Sequence, residues 1–435
     1  MTNIPIPAGL DTKHCVLGDH VLTEIPSVLR QLWPGGCPVV IADENTWAAA
    51  GREVHELLAT AGLQPAPPHV FPARPLLHAD YTHVGELIPP LTGRVPIAVG
   101  AGTINDLVKR ASVEAKTPGY LCVATAPSVD GYTSFGAALT VNGVKKTVPC
   151  PAPVAILADN RVIGSAPLPM IAAGYADLAA KIVAGADWHI AAALGITPYE
   201  PVAWELVQKD LQSWLADPEG VRDRRPAALA ALFTGLAATG FAMQRMRDSR
   251  PASGAEHLFS HVWEMEGLTH QGEAPSHGFK VAIGTLISTA MMTAMFAWTP
   301  EEARRRLAAA PAPTPQERQA QIDAFLQKSP FAAEVSQTAM GKLLTGPALA
   351  ERRQAILKAW PELQAKVRAQ LLPLDELRRR FQILGCPVQP ADIGLDEALL
   401  RRGIMVGGMI RNRYTFLDLL YEIGQLEEQI SNCRI

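Results

Sequence analysis

Two rhythms of apolar residues run along this chain. In the first third, short apolar runs alternate with stretches in which apolar residues return every three or four positions. "CPVVIADENTW" is an apolar run closed by polar turn residues, and "EVHELLATAGL" follows with helical spacing and stops at Gly62. "VPIAVGAGTINDLVKRAS" repeats the pair, and "GYLCVATAPSVDGYTS" opens another strand. Short apolar strands alternating with helices predict a parallel sheet covered on both faces.

After about residue 165 the second rhythm takes over. "MIAAGYADLAAKIVAGADWHIAAAL", "HGFKVAIGTLISTAMMTAMFAW" and "LDEALLRRGI" are all helical in period. Thr299-Pro300-Glu301-Glu302 reads as an N-cap, a proline in the first turn and an acid, so a helix starts there. "APAPTP" (310–315) is a stiff connector. Residues 1–165 are expected to form a Rossmann-like nucleotide-binding α/β domain, and residues 166–435 an all-helical domain.

At 435 residues two domains are the natural expectation. The net charge of -3 offers no excess of Lys and Arg for a phosphate backbone, so nucleic acid is not the expected partner. The six cysteines are scattered without a C-x-x-C pair, which argues against a disulfide framework and a thiolate metal site. "MTNIPIPAGL" lacks the succession of a secretory leader. "PAALAALFTGLAATGFAM" (226–243) has the length of a membrane span, but it is rich in Ala and Gly and flanked by arginines on both sides. It reads as a buried core helix, with no membrane partner and a cytoplasmic location.

Three stretches carry candidate chemistry. In "PIAVGAGTIND", Gly100 and Gly102 allow a sharp turn and a close ligand approach. Thr103 and Asp106 form a T-x-x-D capping pattern that would start a helix, whose free N–H groups suit a pyrophosphate. A ligand-free strand-to-helix turn is an equal reading of this spacing. Asp43, ending "VVIAD", can accept from an adenosine ribose and repel the extra phosphate of NADP, or can simply bond its own turn.

In "SGAEHLFSHVWE", Ser253 and Glu256 form an S-x-x-E box. His257 and His261 then share one helix face, with Cβ atoms about 6 Å apart. On spacing alone both are metal ligands. His277, opening the next apolar helix, is placed to approach them, and the other eight histidines have no comparable setting. A catalytic site needs a third ligand and an open position. Asp177, isolated in "AAGYADLAAKIVAG", either meets a cation or pairs with Lys181 one turn on.

Taken in order, "GAGTINDL", "TAPSVDGYTS", "AGYADLAAK", "ADW" and "EHLFSHVWE…HGFKVAIGT" closely resemble the sn-glycerol-1-phosphate dehydrogenases. The likeness is closest to the bacterial arabinose-operon subfamily, within the iron-type alcohol dehydrogenase and dehydroquinate synthase superfamily. It runs from about residue 15 to 290 and continues more weakly through "RNRYTFLDLLYEIGQLE". The resemblance implies a dehydroquinate synthase-like fold, with Asp177, His257 and His277 as metal ligands. It implies that His261 contacts substrate rather than metal, with Asp130 and Asp177 also touching substrate. It places Gly100, Ala101, Gly102, Thr103 and Ile104 at the pyrophosphate, Thr125, Ser128 and Ser134 elsewhere on the cofactor, and Asp43 on the ribose. Many superfamily members carry three glycines where this chain has Gly-Ala-Gly. His270 is the rival ligand if the loop after His261 aligns differently.

The implied reaction is hydride transfer between NAD(P)H and dihydroxyacetone phosphate, giving sn-glycerol 1-phosphate for phospholipid biosynthesis. It would be assisted by one divalent ion, Zn²⁺ or Ni²⁺, with Fe²⁺ also compatible, in a homodimer. The alternatives are a dehydrogenase for glycerol or another polyol on the same scaffold, and a non-catalytic nucleotide-binding relative.

Overall fold

The computed structural model describes residues 2–326, 329 and 331–435. The apolar runs form the strands β1 (Thr2–Asn3), β2 (His14–Gly18), β3 (Pro38–Asp43), β4 (His69–Phe71), β5 (Val95–Gly100), β6 (Leu121–Ala124) and β9 (Ala155–Asp159). These make one sheet of order β1-β2-β9-β6-β5-β3-β4. All neighbours in it are parallel except β1, which pairs antiparallel on the β2 edge. A separate hairpin joins β7 (Ala137–Val141) to β8 (Val144–Val148). Val40, Ile97, Val99, Leu121, Val123 and Leu157 are buried on the sheet and pack with Leu29, Val54 and Leu58 of flanking helices. Burial on both faces is why these strands read as continuous apolar runs rather than as an alternation.

Downstream of Asp159 the described residues form no further strand longer than a bridge. Six helices position the candidate sites: α1 (Gly102–Glu114), α2 (Leu168–Ala193), α3 (Pro226–Met246), α4 (Ala255–Met265), α5 (His277–Met295) and α6 (Phe416–Glu422). The chain divides into two compact units, residues 1–178 with 202–252 and residues 179–201 with 253–435. The change of rhythm near 165 and the division into units are thus different boundaries. The division falls inside α2, and 202–252 returns to the sheet-bearing unit. There α3 is fastened by Thr133 Oγ1, which donates to the Ala237 carbonyl at 2.7 Å, and by Gln244 Nε2, which donates to Thr12 Oγ1 at 2.9 Å.

Three helices, α2, α3 and α5, are long and apolar enough to cross a membrane by length and composition. Their most apolar windows are 83%, 72% and 78% buried inside the fold, so that apolar surface is already covered by protein. The second unit has its own core, in which Trp298 and Trp360 stack with ring planes 7° apart and Phe296, Ile283 and Leu420 are fully buried. Thr299 caps the next helix as its sequence predicts, accepting from the Glu302 N–H at 3.1 Å.

Candidate metal and nucleotide sites

In the sheet-bearing unit, the carboxyl ends of β3, β5 and β6 lie side by side. Ile41 pairs with Ala98 and Gly100 with Ala124, and the Thr125 N–H donates to the Gly100 carbonyl at 3.2 Å. Asp43, Gly100 and Thr125 therefore come together at the strand ends, where ligands of such sheets bind. Helix α1 starts differently from the T-x-x-D expectation. Ala101 is its N-cap, with extended backbone and no side-chain cap, and Thr103 already lies inside the first turn. Asp106 turns away to accept from the Ala138 N–H at 3.2 Å and pair with Lys109 at 3.4 Å. The first-turn donors of Gly102, Thr103 and Ile104 thus have no side-chain cap, which suits an anion. Gly100 is required by packing as well, since a Cβ there would lie 2.5 Å from Ile104 Cβ.

Asp43 caps the short helix after β3. Its Oδ1 accepts from the Thr46 N–H at 2.8 Å, and its own N–H donates to Thr46 Oγ1 at 3.0 Å. This is the turn-bonding role that the sequence left open, and it commits one carboxylate oxygen. Ser128 and Ser134 are buried, as is Thr125. Ser134 Oγ donates to the Gly131 carbonyl at 3.0 Å and accepts from Lys109 Nζ at 3.2 Å, while Ser128 Oγ lies 3.5 Å from the Tyr132 hydroxyl. Lys109, fully buried on α1, also donates to the Gly131 and Gly136 carbonyls. It ties the "VDGYTS" loop to the helix of the glycine turn, a role with no local signal in sequence.

Asp177 belongs to this unit. Gly174 makes its position possible, because any Cβ there would fall 1.7 Å from the Pro127 carbonyl oxygen. With α2 pressed against that backbone, Asp177 Oδ2 accepts from the Asp130 N–H at 3.0 Å. Asp177 itself is 1% exposed.

In the second unit, α4 and α5 pack along one another and gather three imidazoles. Ring centroids of His257 and His277 are 5.3 Å apart, those of His261 and His277 6.0 Å, and those of His257 and His261 6.4 Å. His277 opens α5 behind Ser276, whose side chain accepts from the Phe279 N–H at 3.2 Å. The start of α4 departs from the S-x-x-E reading. Gly254 is the N-cap, and the cap is supplied from α2. Asp187 Oδ2 accepts from the Ala255 N–H at 2.8 Å and its Oδ1 from the Phe416 N–H at 2.6 Å. Asp187 thereby holds the first turns of α4 and α6 together, which gives the "ADW" motif its physical content.

Glu256, released from the expected box, accepts from the Gly254 N–H and from His257 Nδ1, both at 2.7 Å. His277 Nδ1 likewise meets Glu264 Oε1 at 3.0 Å. Burial pushes the Glu264 carboxyl up, but the hydrogen bond and charge of His277, then Lys280, outweigh it and hold it well below the usual carboxylate range. Each imidazole gives its Nδ1 proton to a carboxylate, which fixes the tautomer and leaves Nε2 as a lone-pair donor. Glu256 Oε2 and Glu264 Oε2 are buried and make no hydrogen bond among the described residues. Carboxylate oxygens without a hydrogen bond, buried beside two imidazoles that direct Nε2 lone pairs, are a donor environment that suits a divalent cation, so these residues fit a metal.

His261, Glu264 and His277 also offer three donor atoms within 4.8 Å of one another. Two cations occupy that side, Lys280 at 3.3 Å from Glu264 and Arg411 at 3.3 Å from His261. That combination is therefore a poor cage for a cation. Burial, then Arg411, hold His261 well below the ordinary histidine range. A guanidinium can only donate, so His261 Nδ1 accepts and the ring proton sits on Nε2. His270, the rival ligand, forms a backbone bridge with Glu273 and joins no donor cluster among the described residues.

Residues 16–167 match the family described as iron-containing alcohol dehydrogenase. Over 398 residues the chain is 31% identical to the glycerol-1-phosphate dehydrogenase, NAD(P)+, of Geobacillus thermodenitrificans, covering 89% of this chain and 87% of that relative. It is 30% identical over 272 residues to the protein of the same name from Thermoplasma acidophilum, covering 62% of this chain and 75% of that relative. A solved structure of a probable glycerol dehydrogenase from Sinorhizobium meliloti superposes with a TM-score of 0.57 at 13% identity, over 99% of this chain and 100% of that one. That last likeness speaks for the fold alone. The chain belongs to the glycerol-1-phosphate dehydrogenase family.

Proposed function

We propose that this oxidoreductase interconverts dihydroxyacetone phosphate and sn-glycerol 1-phosphate, using NAD(H) or NADP(H) and one divalent ion held by Asp177, His257 and His277. The observation that carries the metal reading is the matched pair of carboxylate–imidazole bonds, Glu256 to His257 and Glu264 to His277, which puts the ring proton on Nδ1 and the lone pair on Nε2 in both histidines. The likeness of its stretch "AGYADLAAK" to the family supports Asp177 as the third ligand. Similarity to glycerol-1-phosphate dehydrogenases over nearly the full chain supports the substrate and the cofactor.

When bound, the ion polarises the ketone as a Lewis acid and the nicotinamide supplies or accepts hydride. The chain's own groups position and protonate. The first turn of α1 binds the cofactor pyrophosphate, with Gly100 to Ile104 as its cradle, and Thr125, Ser128 and Ser134 line the neighbouring cofactor contacts. Asp43 orients the adenosine ribose and repels a 2′-phosphate, which favours NAD(H). Asp130, its N–H fixed by Asp177, orients a substrate hydroxyl. His261 carries its hydrogen on Nε2 and donates a hydrogen bond to the substrate oxygen, orienting it or the water that protonates it. Two imidazoles and a carboxylate suit Zn²⁺ or Ni²⁺ and admit Fe²⁺. On the same footing the enzyme is a cytoplasmic homodimer serving phospholipid biosynthesis, with a small phosphorylated triose and neither nucleic acid nor membrane as partner.

Metal content and NADH oxidation test the reading together. His257→Ala is expected to lose both metal and turnover, and His261→Ala to keep the metal while losing about 10²-fold or more in rate. Equal metal loss in the two variants would restore the plain H-x-x-x-H site. A wild type active only on unphosphorylated dihydroxyacetone would make it a polyol dehydrogenase instead. A protein with no bound metal, in which Asp177→Ala changed only stability, would be the non-catalytic relative.

A further inference from the structure

We propose that Lys109 is a positioning residue for the reaction. From the cofactor helix α1 it fixes the turn that carries Asp130, and so sets where the substrate stands relative to the nicotinamide. This rests on the substrate role of Asp130 proposed above and adds a residue that acts through that turn from inside the protein.

Asn105 and Lys109 lie four residues apart in α1 and so share one face of the helix. Against that face lies the stretch that opens with the short turn Asp130–Thr133. The Lys109 side chain is 0% exposed. Its ammonium has three protons to donate, and three acceptors between Gly131 and Gly136 meet them. These are the Gly131 carbonyl at 2.9 Å, Ser134 Oγ at 3.2 Å and the Gly136 carbonyl at 3.0 Å. Asp106 Oδ1 lies further off, at 3.4 Å. Asn105 Nδ2 donates to the same Gly131 carbonyl at 3.1 Å, and the Tyr120 hydroxyl holds Asn105 by donating to its Oδ1 at 2.9 Å.

Other helices of the same unit close on the turn. Helix α3 comes so near that a Cβ at Gly240 would fall 1.8 Å from Thr133 Oγ1 and 2.8 Å from the Asp130 carbonyl oxygen. Gln244 of α3 donates through Nε2 to the Thr133 carbonyl. From α2, Asp177 Oδ2 accepts from the Asp130 N–H at 3.0 Å. The backbone around Asp130 is thus held by α1, α2 and α3 together.

The chemistry of the side chain explains why a lysine stands here. Burying an ammonium is unfavourable unless its protons find acceptors, and an apolar side chain would fill the same space without that penalty. What the charge adds is direction, because charge-assisted hydrogen bonds are about twice as strong as neutral ones. Two carbonyls and a hydroxyl are drawn to one point, which leaves the turn a single place to sit. The same helix begins at Ala101, the N-cap of the pyrophosphate cradle, about 12 Å away along one rigid axis. Cradle and turn therefore keep a fixed spacing. Hydride transfer depends on such placement, since a shift of about 1 Å costs on the order of 10²-fold in rate.

The test compares wild type, K109M, D130A and the double variant as metal-loaded enzymes, by kcat/KM on dihydroxyacetone phosphate and by fluorescence titration with NADH. K109M is expected to lose about 10- to 100-fold in kcat/KM, chiefly through kcat. Its NADH affinity should fall less than about fivefold, because the first-turn donors of α1 do not involve the lysine. D130A alone should cost about 10-fold or more, yet add less than about threefold to K109M, since both changes spoil one placement. L58A, a core change in the same unit away from the turn, lowers stability by about 2 to 5 kcal/mol, and its folded fraction should turn over like wild type. If K109M does not fold, N105A carries the test, with a loss of about three- to tenfold and the same non-additivity. Additive losses, an equal kinetic loss in L58A, or NADH affinity falling as far as kcat/KM would mark a purely structural lysine and overturn the assignment. A D130A enzyme with wild-type kcat/KM overturns the substrate role of Asp130, and this proposal with it.

Discussion

Helices α1 and α4 each begin beside a candidate ligand site, and they begin in opposite ways. The α1 start has Ala101 as N-cap and no side-chain acceptor. The α4 start has its first N–H taken by Asp187, a residue 68 positions away, and the N–H of its N-cap taken by Glu256. One helix leaves its first-turn donors without a side-chain cap. The other has two of them bonded to protein carboxylates and carries His257 and His261 in the turns that follow. The same kind of orphan N–H group is thus left uncapped in one unit and used to anchor a helix of histidines in the other.

Breaking the α4 arrangement should have the largest effect. Asp187→Ala strips a buried acceptor from both Ala255 and Phe416, and the loss is expected to reach about 3 kcal/mol or more of unfolding free energy, with metal affinity falling as α4 loosens. Chemical denaturation and metal titration of the purified variant would reveal it. A stability loss under about 1 kcal/mol would mean that α4 does not depend on this cap.

A smaller effect, confined to a pH window, tests the other end of α6. Burial raises the Glu422 carboxyl to about 7, against hydrogen bonds and charge from Tyr414 and Arg352 that lower it. Its folded value lies above the ordinary 4.5 of the unfolded chain, so the contribution is full below about 4.5 and disappears as pH rises through about 7. The difference in stability between wild type and Glu422→Gln should accordingly move against wild type between those pH values. A flat difference would show Glu422 to be ionised in the folded state.

The smallest change sharpens the comparison from the α1 side. Ala101 already has the extended backbone of an N-cap and lacks only the acceptor. Ala101→Ser is expected to raise stability by up to about 1 kcal/mol while weakening NADH binding severalfold, because the hydroxyl occupies a donor meant for the pyrophosphate. Unchanged NADH affinity in a stabilised variant would remove the α1 start from the cofactor site.

Legibility in the chain depends on distance along it. The strand–helix alternation, the glycine turn, the Thr299 cap and the helical face shared by His257 and His261 are local patterns, and the structure contains each of them. Both capping boxes failed for one reason: the backbone leaves the helix at Ala101 in one case and Gly254 in the other, not at the Thr103 and Ser253 that the patterns pick out. The long-range groups left no local trace. Asp187 meets Phe416 across 229 positions and Arg411 meets His261 across 150. The "ADW" and "RNRY" stretches stood out only through family resemblance, and spacing alone could not say what either aspartate or arginine touches. Glu256 and Glu264 were hidden differently, since acids beside histidines on a helix usually face solvent.

Helix α2 carries both Asp177 and Asp187 on one uninterrupted rod. Ten residues separate them, about 15 Å of axial rise, so the spacing between the two carboxylates is dictated by helical screw geometry alone. Inserting a single residue between them would swing one aspartate by about 100° relative to the other, misaligning them without altering either side chain. Length variation should therefore be tolerated in the loops of this enzyme and forbidden in that stretch of ten.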